Sequence, residues 1–180
     1  MKLMIASDLH GSATACKKLL DAFTASGAEH LILLGDLLYH GPRNDLPEGY
    51  DPTAVIAMLS EKADKLFCVR GNCDTEVDQM VLDFPILADY CMLDLDGHTL
   101  FATHGHHYNR ENLPPMGTGE ILLHGHTHIP ENGVCGDIRI LNPGSVSIPK
   151  GGSKNSYMTY EKGTFCWKDL DGEVYDTLSL

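Results

Sequence analysis

The first half of the sequence alternates short apolar runs with amphipathic stretches, and few folds accommodate that order. Residues 3–7, 30–34 and 66–69 are apolar runs of strand length, whereas residues 12–26 and 52–62 have the character of helices. The predicted order is therefore strand, helix, strand, helix, strand. Such alternation is typical of parallel strands joined by helices.

The second half differs, because its predicted strands follow one another with little room for helices. They span residues 91–95, 99–103, 121–124 and 138–141, and they indicate a second, more antiparallel sheet. Near the end, residues 157–160 and 164–167 flank Glu161-Lys162-Gly163 as in a hairpin, and residues 173–178 could add another strand.

No linker, repeat or low-complexity tract interrupts the 180 residues, of which 43% are hydrophobic. We therefore expect one domain over residues 1–180 with a substantial core. The fold class that we predict is α/β, a four-layer α/β/β/α sandwich. In it two mixed sheets face each other and helices cover their outer sides.

Five segments rich in oxygen and imidazole groups follow directly after predicted strands. They are Asp8-Leu9-His10, Gly35-Asp36, Gly71-Asn72-Cys73-Asp74, His104-Gly105-His106 and Gly125-His126-Thr127-His128. Because α/β proteins usually bind ligands beyond the carboxyl ends of their strands, these segments should meet at one edge. Together they offer enough ligands for two metal ions.

Residues two apart in an extended chain point the same way, which helps neighbouring side chains to hold one ion. This spacing relates Asp8 to His10. It also relates His126 to His128. A carboxylate at an adjacent strand end, Asp36, could bridge two cations with one oxygen for each.

Asn72 is either a ligand through its amide oxygen, aimed inward by a turn at Gly71, or an Asx-turn residue. A mixed nitrogen and oxygen set without thiolate suits transition metals better than Ca or Mg. We expect two divalent ions, with Mn as first choice and Zn, Fe, Ni or Co as alternatives. Such ions about 3.5–4 Å apart activate a bridging water and clamp a phosphoryl oxygen, as phosphoester hydrolysis requires.

In this order the five segments resemble the calcineurin-like metallophosphoesterases. The stretches His40-Gly41-Pro42-Arg43-Asn44 and 142–152 are similar to the small bacterial YfcE-type phosphodiesterases in particular. The resemblance implies a bridging carboxylate and three further ligands for each ion. These would be Asp36 as the bridge, Asp8, His10 and His128 for one ion, and Asn72, His104 and His126 for the other.

The third segment departs from the family pattern. Many members carry a histidine after the asparagine, often proposed to protonate the leaving group, and here that residue is Cys73. Because a thiol is a weaker donor than imidazolium, we predict a preference for activated leaving groups such as aryl or nucleotide phosphates. Cys73 is alternatively a filler thiol. Asp74 either orients a neighbouring ligand or caps the short helix expected near Glu76.

Four other side chains have open roles. His106, like Asn72, Cys73 and Asp74, is a candidate catalytic residue, although a solvated loop histidine is the alternative. His124 is surplus to the ligand set and is expected to be structural. Arg43 and Lys150 are either substrate phosphate contacts or solvent-facing charges.

The formal net charge of −12 argues against a long nucleic acid or an acidic membrane as partner, but leaves a small anionic substrate possible. Six scattered cysteines without a C-x-x-C pair indicate reduced thiols in a cytoplasmic protein. No run has the length of a signal peptide's apolar region or a membrane span. The sequence does not determine whether the protein forms a homo-oligomer.

The function that we predict is hydrolysis of small phosphoesters by a binuclear metal-dependent phosphodiesterase, in which a metal-bound hydroxide attacks phosphorus. Alternatives are a phosphomonoesterase or nucleotide pyrophosphatase with the same metals, and a non-catalytic scaffold of the same fold. A nucleic-acid enzyme would need a basic track beside the site, against which the acidic composition speaks.

Overall fold

The computed structural model describes all 180 residues and contains eleven strands and three α-helices. The strands are β1 (Lys2–Ala6), β2 (His30–Leu33), β3 (Leu66–Cys68), β4 (Tyr90–Leu95), β5 (His98–Thr103), β6 (Ile121–Leu123), β7 (Glu131–Cys135), β8 (Ile138–Asn142), β9 (Ser156–Glu161), β10 (Thr164–Asp169) and β11 (Val174–Ser179). The helices are α1 (Ala13–Ser26), α2 (Pro52–Ser60) and α3 (Glu76–Gln79), with a 3₁₀ turn at Ala63–Lys65.

The N-terminal half forms the parallel arrangement that its alternation predicts. β1 pairs with β2 in parallel, and β2 pairs with β3 in the same sense. Helix α1 begins where the Ser12 hydroxyl accepts the amide of Ala15 at 3.1 Å, and it ends at Gly27, which adopts a left-handed conformation with φ of 68°.

The first sheet has the strand order β11-β10-β9-β1-β2-β3. The predicted C-terminal hairpin exists as β9 and β10, and β9 pairs antiparallel with β1. The last strand of the chain, β11, adds antiparallel to β10 and forms the edge of this sheet. The sheet is therefore mixed, with a parallel half from the N-terminus and an antiparallel half from the C-terminus.

The second sheet has the order β4-β5-β6-β8-β7. Its three inner strands are parallel, and antiparallel β4 and β7 form its edges. The sequence pattern missed β7, because Glu131, Asn132 and Gly133 have low β-propensity. An edge strand tolerates such residues, since only one of its sides is paired.

The two sheets face each other across a shared apolar layer. Ile5 and Phe165 of the first sheet, and Leu100 and Leu123 of the second, are fully buried in it. On the opposite face of the first sheet, α1 and α2 pack over a second buried cluster. The predicted class of an α/β sandwich with two facing mixed sheets is confirmed.

The outer face of the second sheet is covered by an irregular segment instead of a helix. Leu113 and Met116, from the connection between β5 and β6, pack there against Leu122 and Ile140. Two prolines in succession and two nearby glycines keep this connection out of helical conformation. These are Pro114, Pro115, Gly117 and Gly119. No helix in the structure has both the length and the apolar character that crossing a membrane requires.

The layer between the sheets should carry much of the stability. We expect Leu100→Ala to lower the free energy of unfolding by about 2–5 kcal/mol, because it leaves a cavity at a fully buried position. Urea denaturation measures this loss. Leu46→Ala is the matched control, since Leu46 is 61% exposed and its truncation should change stability by less than about 0.5 kcal/mol. Equal effects of the two changes would contradict this account of the core.

Candidate metal centre

Five of the predicted ligand residues adopt left-handed backbone conformations. Asp8, His10, Asp36, His126 and His128 have φ angles of 60°, 48°, 55°, 65° and 61°. Only two other residues besides glycine have positive φ in the whole chain. Each such conformation costs about 1–3 kcal/mol and persists only where the surroundings impose it. The structure thus concentrates backbone strain at the ends of β1, β2 and β6.

Asp8, His10 and His128 form one buried cluster. The Nε2 atoms of His10 and His128 lie 3.2 Å apart. Oδ1 of Asp8 lies 3.6 Å from the first and 3.3 Å from the second. This oxygen is fully buried and accepts no hydrogen bond. A buried carboxylate oxygen without a donor is costly, which indicates that the cluster is built to surround a cation.

The protonation of these rings is set by the main chain. Nδ1 of His10 donates to the carbonyl of Tyr39 at 2.7 Å, and Nδ1 of His128 donates to the carbonyl of Ile148 at 2.6 Å. A carbonyl oxygen can only accept, so Nδ1 carries the proton and Nε2 of the neutral ring presents its lone pair. Two facing lone pairs repel each other unless a proton or a metal ion lies between them.

A second cluster contains Asn72, His104 and His126. Nε2 of His104 lies 3.1 Å from Oδ1 of Asn72 and 3.1 Å from Nδ1 of His126. Nδ1 of His104 donates to the carbonyl of Leu34 at 2.6 Å, so this ring too directs an unprotonated Nε2 toward its neighbours when it is neutral. The nitrogen and oxygen atoms here suit the same transition metals as those of the first cluster.

Asp36 lies between the clusters. Its Oδ2 is 3.7 Å from Nε2 of His10 and 3.5 Å from Nε2 of His104. Its Oδ1 accepts the backbone N–H of Cys73 at 2.8 Å. The sequence suggested one carboxylate oxygen for each ion, whereas here a single oxygen faces both clusters. Gly71 makes this placement possible, because a side chain there would collide with the Asp36 carboxylate.

The charges of the metal-free clusters depend on one another. Burial opposes the ionisation of Asp8, yet contacts with His10 and His128 outweigh burial and hold the pKa of its carboxyl well below its usual range. Burial likewise opposes protonation of His104, but the carboxylates of Asp36 and Asp8 raise the pKa of this histidine to about 9. A proton therefore occupies the metal-free site, where a cation would have to displace it.

Asp74 contacts the site through hydrogen bonds from backbone amides. Its buried carboxylate accepts the N–H groups of Asp36 at 2.8 Å, Leu37 at 2.9 Å and Gly71 at 2.7 Å. It thereby ties together the turns after β2 and β3. The cap of α3 is Thr75, so the first of the two roles suggested for Asp74 matches these contacts. Its carboxylate does not line the cleft above the clusters.

Asn142, at the end of β8, and Ser147, in the connection after it, hold two of the strained turns. Nδ2 of Asn142 donates to the carbonyl of Gly125 at 2.9 Å and to Oγ1 of Thr127 at 3.0 Å. The hydroxyl of Ser147 donates to the carbonyl of Asp8 at 2.7 Å. Sequence reasoning assigned these residues no role. Both residues lie in the stretch 142–152, whose resemblance to the YfcE-type phosphodiesterases is the one sequence signal that points to them.

Above the clusters opens a polar cleft of about 460 Å³. Arg43 and Lys150, the candidate substrate contacts, both line it, and so does Cys73. The Cys73 side chain is half-buried, and burial together with the nearby Asp36 carboxylate raises the pKa of its thiol to about 12 in the metal-free protein. The thiol is therefore protonated at neutral pH.

Two other histidines lie outside the clusters. The His106 ring lies against that of His107, with centroids 4.0 Å apart and the planes tilted by 42°, and its centroid is 5.3 Å from that of His104. His106 does not line the cleft. His124 is buried, and its Nδ1 lies 3.0 Å from the carbonyl of Gly125. Its position beneath the turn after β6 agrees with the structural role expected for it.

Comparisons with known proteins point to one family. The model of the calcineurin-like phosphoesterase superfamily domain matches residues 1–164. The phosphodiesterase YfcE of Escherichia coli is 54% identical over 157 residues, which cover 87% of this chain and 85% of that protein. The solved structure of this E. coli phosphoesterase matches with a TM-score of 0.96 at 48% identity and covers 99% of both chains. The zinc complex of Vps29 from Entamoeba histolytica has a TM-score of 0.61 at 19% identity, covers 99% of both chains, and shows a likeness of fold alone.

Proton displacement should make metal binding depend on pH. Because the pKa of His104 is about 9 in the metal-free protein, a cation at neutral pH must expel its proton. We expect the apparent affinity for Mn, measured by isothermal titration calorimetry, to rise about tenfold per pH unit between about pH 7 and 8. His98→Asn, which alters a histidine at the start of β5, should keep this slope. An affinity that does not vary with pH would contradict the displacement of a proton from His104.

Proposed function

The chain belongs to the calcineurin-like phosphoesterase superfamily, as its resemblance indicated, and we propose that it is a two-metal phosphodiesterase acting on small phosphoesters. One observation carries the proposal. Oδ2 of Asp36 faces Nε2 of His10 at 3.7 Å and Nε2 of His104 at 3.5 Å, so one oxygen joins two groups of ligand atoms. Paired metals bridged in this way are the usual device of metal-assisted phosphoester hydrolysis.

We assign the ligands by cluster, with Asp36 shared. Asp8, His10 and His128 would hold one ion, and Asn72, His104 and His126 would hold the other. When bound, the two divalent ions supply Lewis-acid charge that activates water for attack on phosphorus and stabilises the charge on phosphoryl oxygens. The nitrogen and oxygen donors suit transition metals, among which Mn is our first candidate and Zn, Fe, Ni and Co are alternatives.

Arg43 and Lys150 are assigned to the phosphate. Both are exposed on the wall of the polar cleft, where they offer the positive charge that an otherwise acidic chain lacks. A guanidinium can bind two phosphate oxygens at once, which fixes the orientation of the substrate, whereas an ammonium adds charge without direction. The net charge of −12 fits a small anion held by such local contacts better than a long polyanion.

With Cys73 at this position, the leaving group lacks a charged proton donor. Its protonated thiol lines the cleft beside Asn72 but carries no positive charge. His106 does not line the cleft, and Asp74 is committed to three backbone amides. We therefore propose that substrates carry leaving groups stable as anions, such as aryl groups, because general acid catalysis typically contributes about 10²–10⁴-fold.

A diesterase is favoured over the other candidates by the relative that is 54% identical and named a phosphodiesterase. A monoesterase or nucleotide pyrophosphatase would use the same metals and differ in how the loops around Arg43 and Lys150 enclose the substrate. A scaffold role is disfavoured, because every ligand position is occupied by a residue suited to metal binding. The six cysteines are unpaired, which supports a reducing compartment such as the cytoplasm.

The metal requirement can be tested with the chelated protein. We expect Mn to restore hydrolysis of an aryl phosphodiester more than Zn, Ni, Co or Mg, and the diester to react faster than its monoester. Asp36→Asn should lower kcat/KM more than about 100-fold, since even the outer partners of ligands are typically worth about 10–100-fold. Asp137→Asn, in the exposed turn between β7 and β8, is the control and should retain activity. Inactivity with every metal would favour the scaffold instead.

The role of Cys73 can be tested through leaving groups. A Brønsted plot of log kcat/KM against leaving-group pKa should be steep for the wild type, because little proton transfer assists departure. In Cys73→His the slope should be shallower, with the largest gain for the most basic leaving groups, up to about 10²–10⁴-fold. The same leaving-group dependence in both proteins would contradict the proposed role of Cys73.

A further inference from the structure

An apolar groove of about 420 Å³ adjoins the polar cleft. We call it the Tyr39 groove, and it is lined mainly by Tyr39, Tyr50, Ile56, Cys73, Val77 and Val81. Three of its side chains are well exposed, with Tyr39 at 42%, Val77 at 69% and Val81 at 46%. Its size is within the range of small-molecule sites, which are mostly apolar with a few polar groups.

Cys73 connects the groove to the metal centre. Its side chain lines both the polar cleft and the Tyr39 groove. Its backbone N–H donates to Oδ1 of Asp36 at 2.8 Å, on the carboxylate that lies between the two clusters. The groove therefore lies next to the place where a phosphate would be held, and the Cys73 side chain forms part of the wall of both spaces. A substrate bound there could extend one esterified group into the groove without leaving the site.

The wall of the groove is also hydrogen-bonded to His10, one of the proposed metal ligands. The carbonyl of Tyr39 accepts Nδ1–H of His10 at 2.7 Å, so the backbone that carries this tyrosine is fixed by the metal centre itself. The His40 ring lies edge-on between two tyrosines, with centroids 4.8 Å from Tyr39 and 5.4 Å from Tyr50. These contacts make the groove a formed aromatic surface.

Two polar side chains of the groove, Thr75 and Asp78, are hydrogen-bonded to each other. Thr75 donates from its hydroxyl and its backbone N–H to Oδ2 of Asp78, at 2.7 Å in each case. These bonds form the capping box of α3, so the carboxylate is engaged with its own helix. No basic side chain lines the groove. Its chemistry thus fits an uncharged apolar group and offers nothing to a second phosphate.

We propose that the Tyr39 groove is the subsite for the apolar, aromatic group that is esterified to the phosphate. This inference rests on the proposed function. Arg43 and Lys150 would hold the phosphate in the cleft, while the ring of the leaving group lies against Tyr39, Val77 and Val81. The groove selects substrates by the area that their leaving group buries.

The experiment compares two diesters that share a methyl group and differ in the size of the leaving group. We take methyl nitrophenyl phosphate and methyl nitronaphthyl phosphate, whose leaving groups have similar acidity. The Mn-loaded wild type should prefer the naphthyl diester roughly five- to tenfold in kcat/KM, because the second ring buries more apolar area. The preference should lie in KM.

Val81→Asp should abolish this preference, because a carboxylate in the groove opposes burial of the leaving group and costs the larger naphthyl diester more than the nitrophenyl diester. The matched control is Val174→Asp, since Val174 on β11 is 47% exposed and Val81 is 46% exposed. A second measurement needs no catalysis. The methyl NMR signals of Val77 and Val81 should shift on titration with naphthol in the wild type, whereas that of Val77 should stay in place in Val81→Asp.

Each failure has its own signature. Metal-dependent hydrolysis of both diesters at equal rates, or naphthol that leaves the valine signals unmoved, would overturn the groove and leave the phosphodiesterase standing. No hydrolysis of either diester with any metal would overturn the proposed function and this inference with it. A wild-type dimer in sedimentation that Val77→Asp dissociates would assign the groove to a second copy of the chain, which also overturns it.

Discussion

Hydrogen bonds from Nδ1 of three histidines to backbone carbonyls determine the character of this molecule's site. His10, His104 and His128 are each held in this way at 2.6–2.7 Å, so the opposite nitrogen of each neutral ring is left as an acceptor directed toward other ligand atoms. Acceptors forced together repel, and they are tolerated where a cation is to be bound. The carbonyls belong to main chain placed by the sheets, so the fold itself fixes ligand orientation.

This arrangement also explains why the strained residues lie where they do. A side chain at the end of a strand can turn back over the sheet edge only if the backbone leaves the extended conformation, and the left-handed region provides the sharpest such turn. The cost is offset by bonds from both sheets. Asp74 secures the turn at Asp36, Ser147 secures Asp8, and Asn142 secures the turn between His126 and His128.

The sequence predicted what periodicity and residue chemistry encode. The parallel strands β1 to β3 and the ligand segments after them followed from apolar runs ending in Asp, Asn and His. Two features escaped because they depend on tertiary contacts. Strand β7 pairs despite a sequence with low β-propensity, and Asn142 reaches the turn after β6 only because β6 and β8 are adjacent in the second sheet. Likewise, a single oxygen of Asp36 faces both clusters because the amide of Cys73 occupies the other oxygen.

Position 73 is where the chemistry of the cleft and the shape of the groove meet. An imidazole there would offer a charged donor to the leaving group, but it is larger and more polar than a thiol and would project into the two spaces that Cys73 lines. A thiol is small and only weakly polar, so it leaves more room for an aromatic ring. Cys73 would therefore favour aryl esters in two ways, because an aryl group fits the groove and its leaving group departs without a proton. The presence of Cys73 where many family members carry a histidine thus agrees with the apolar Tyr39 groove beside it.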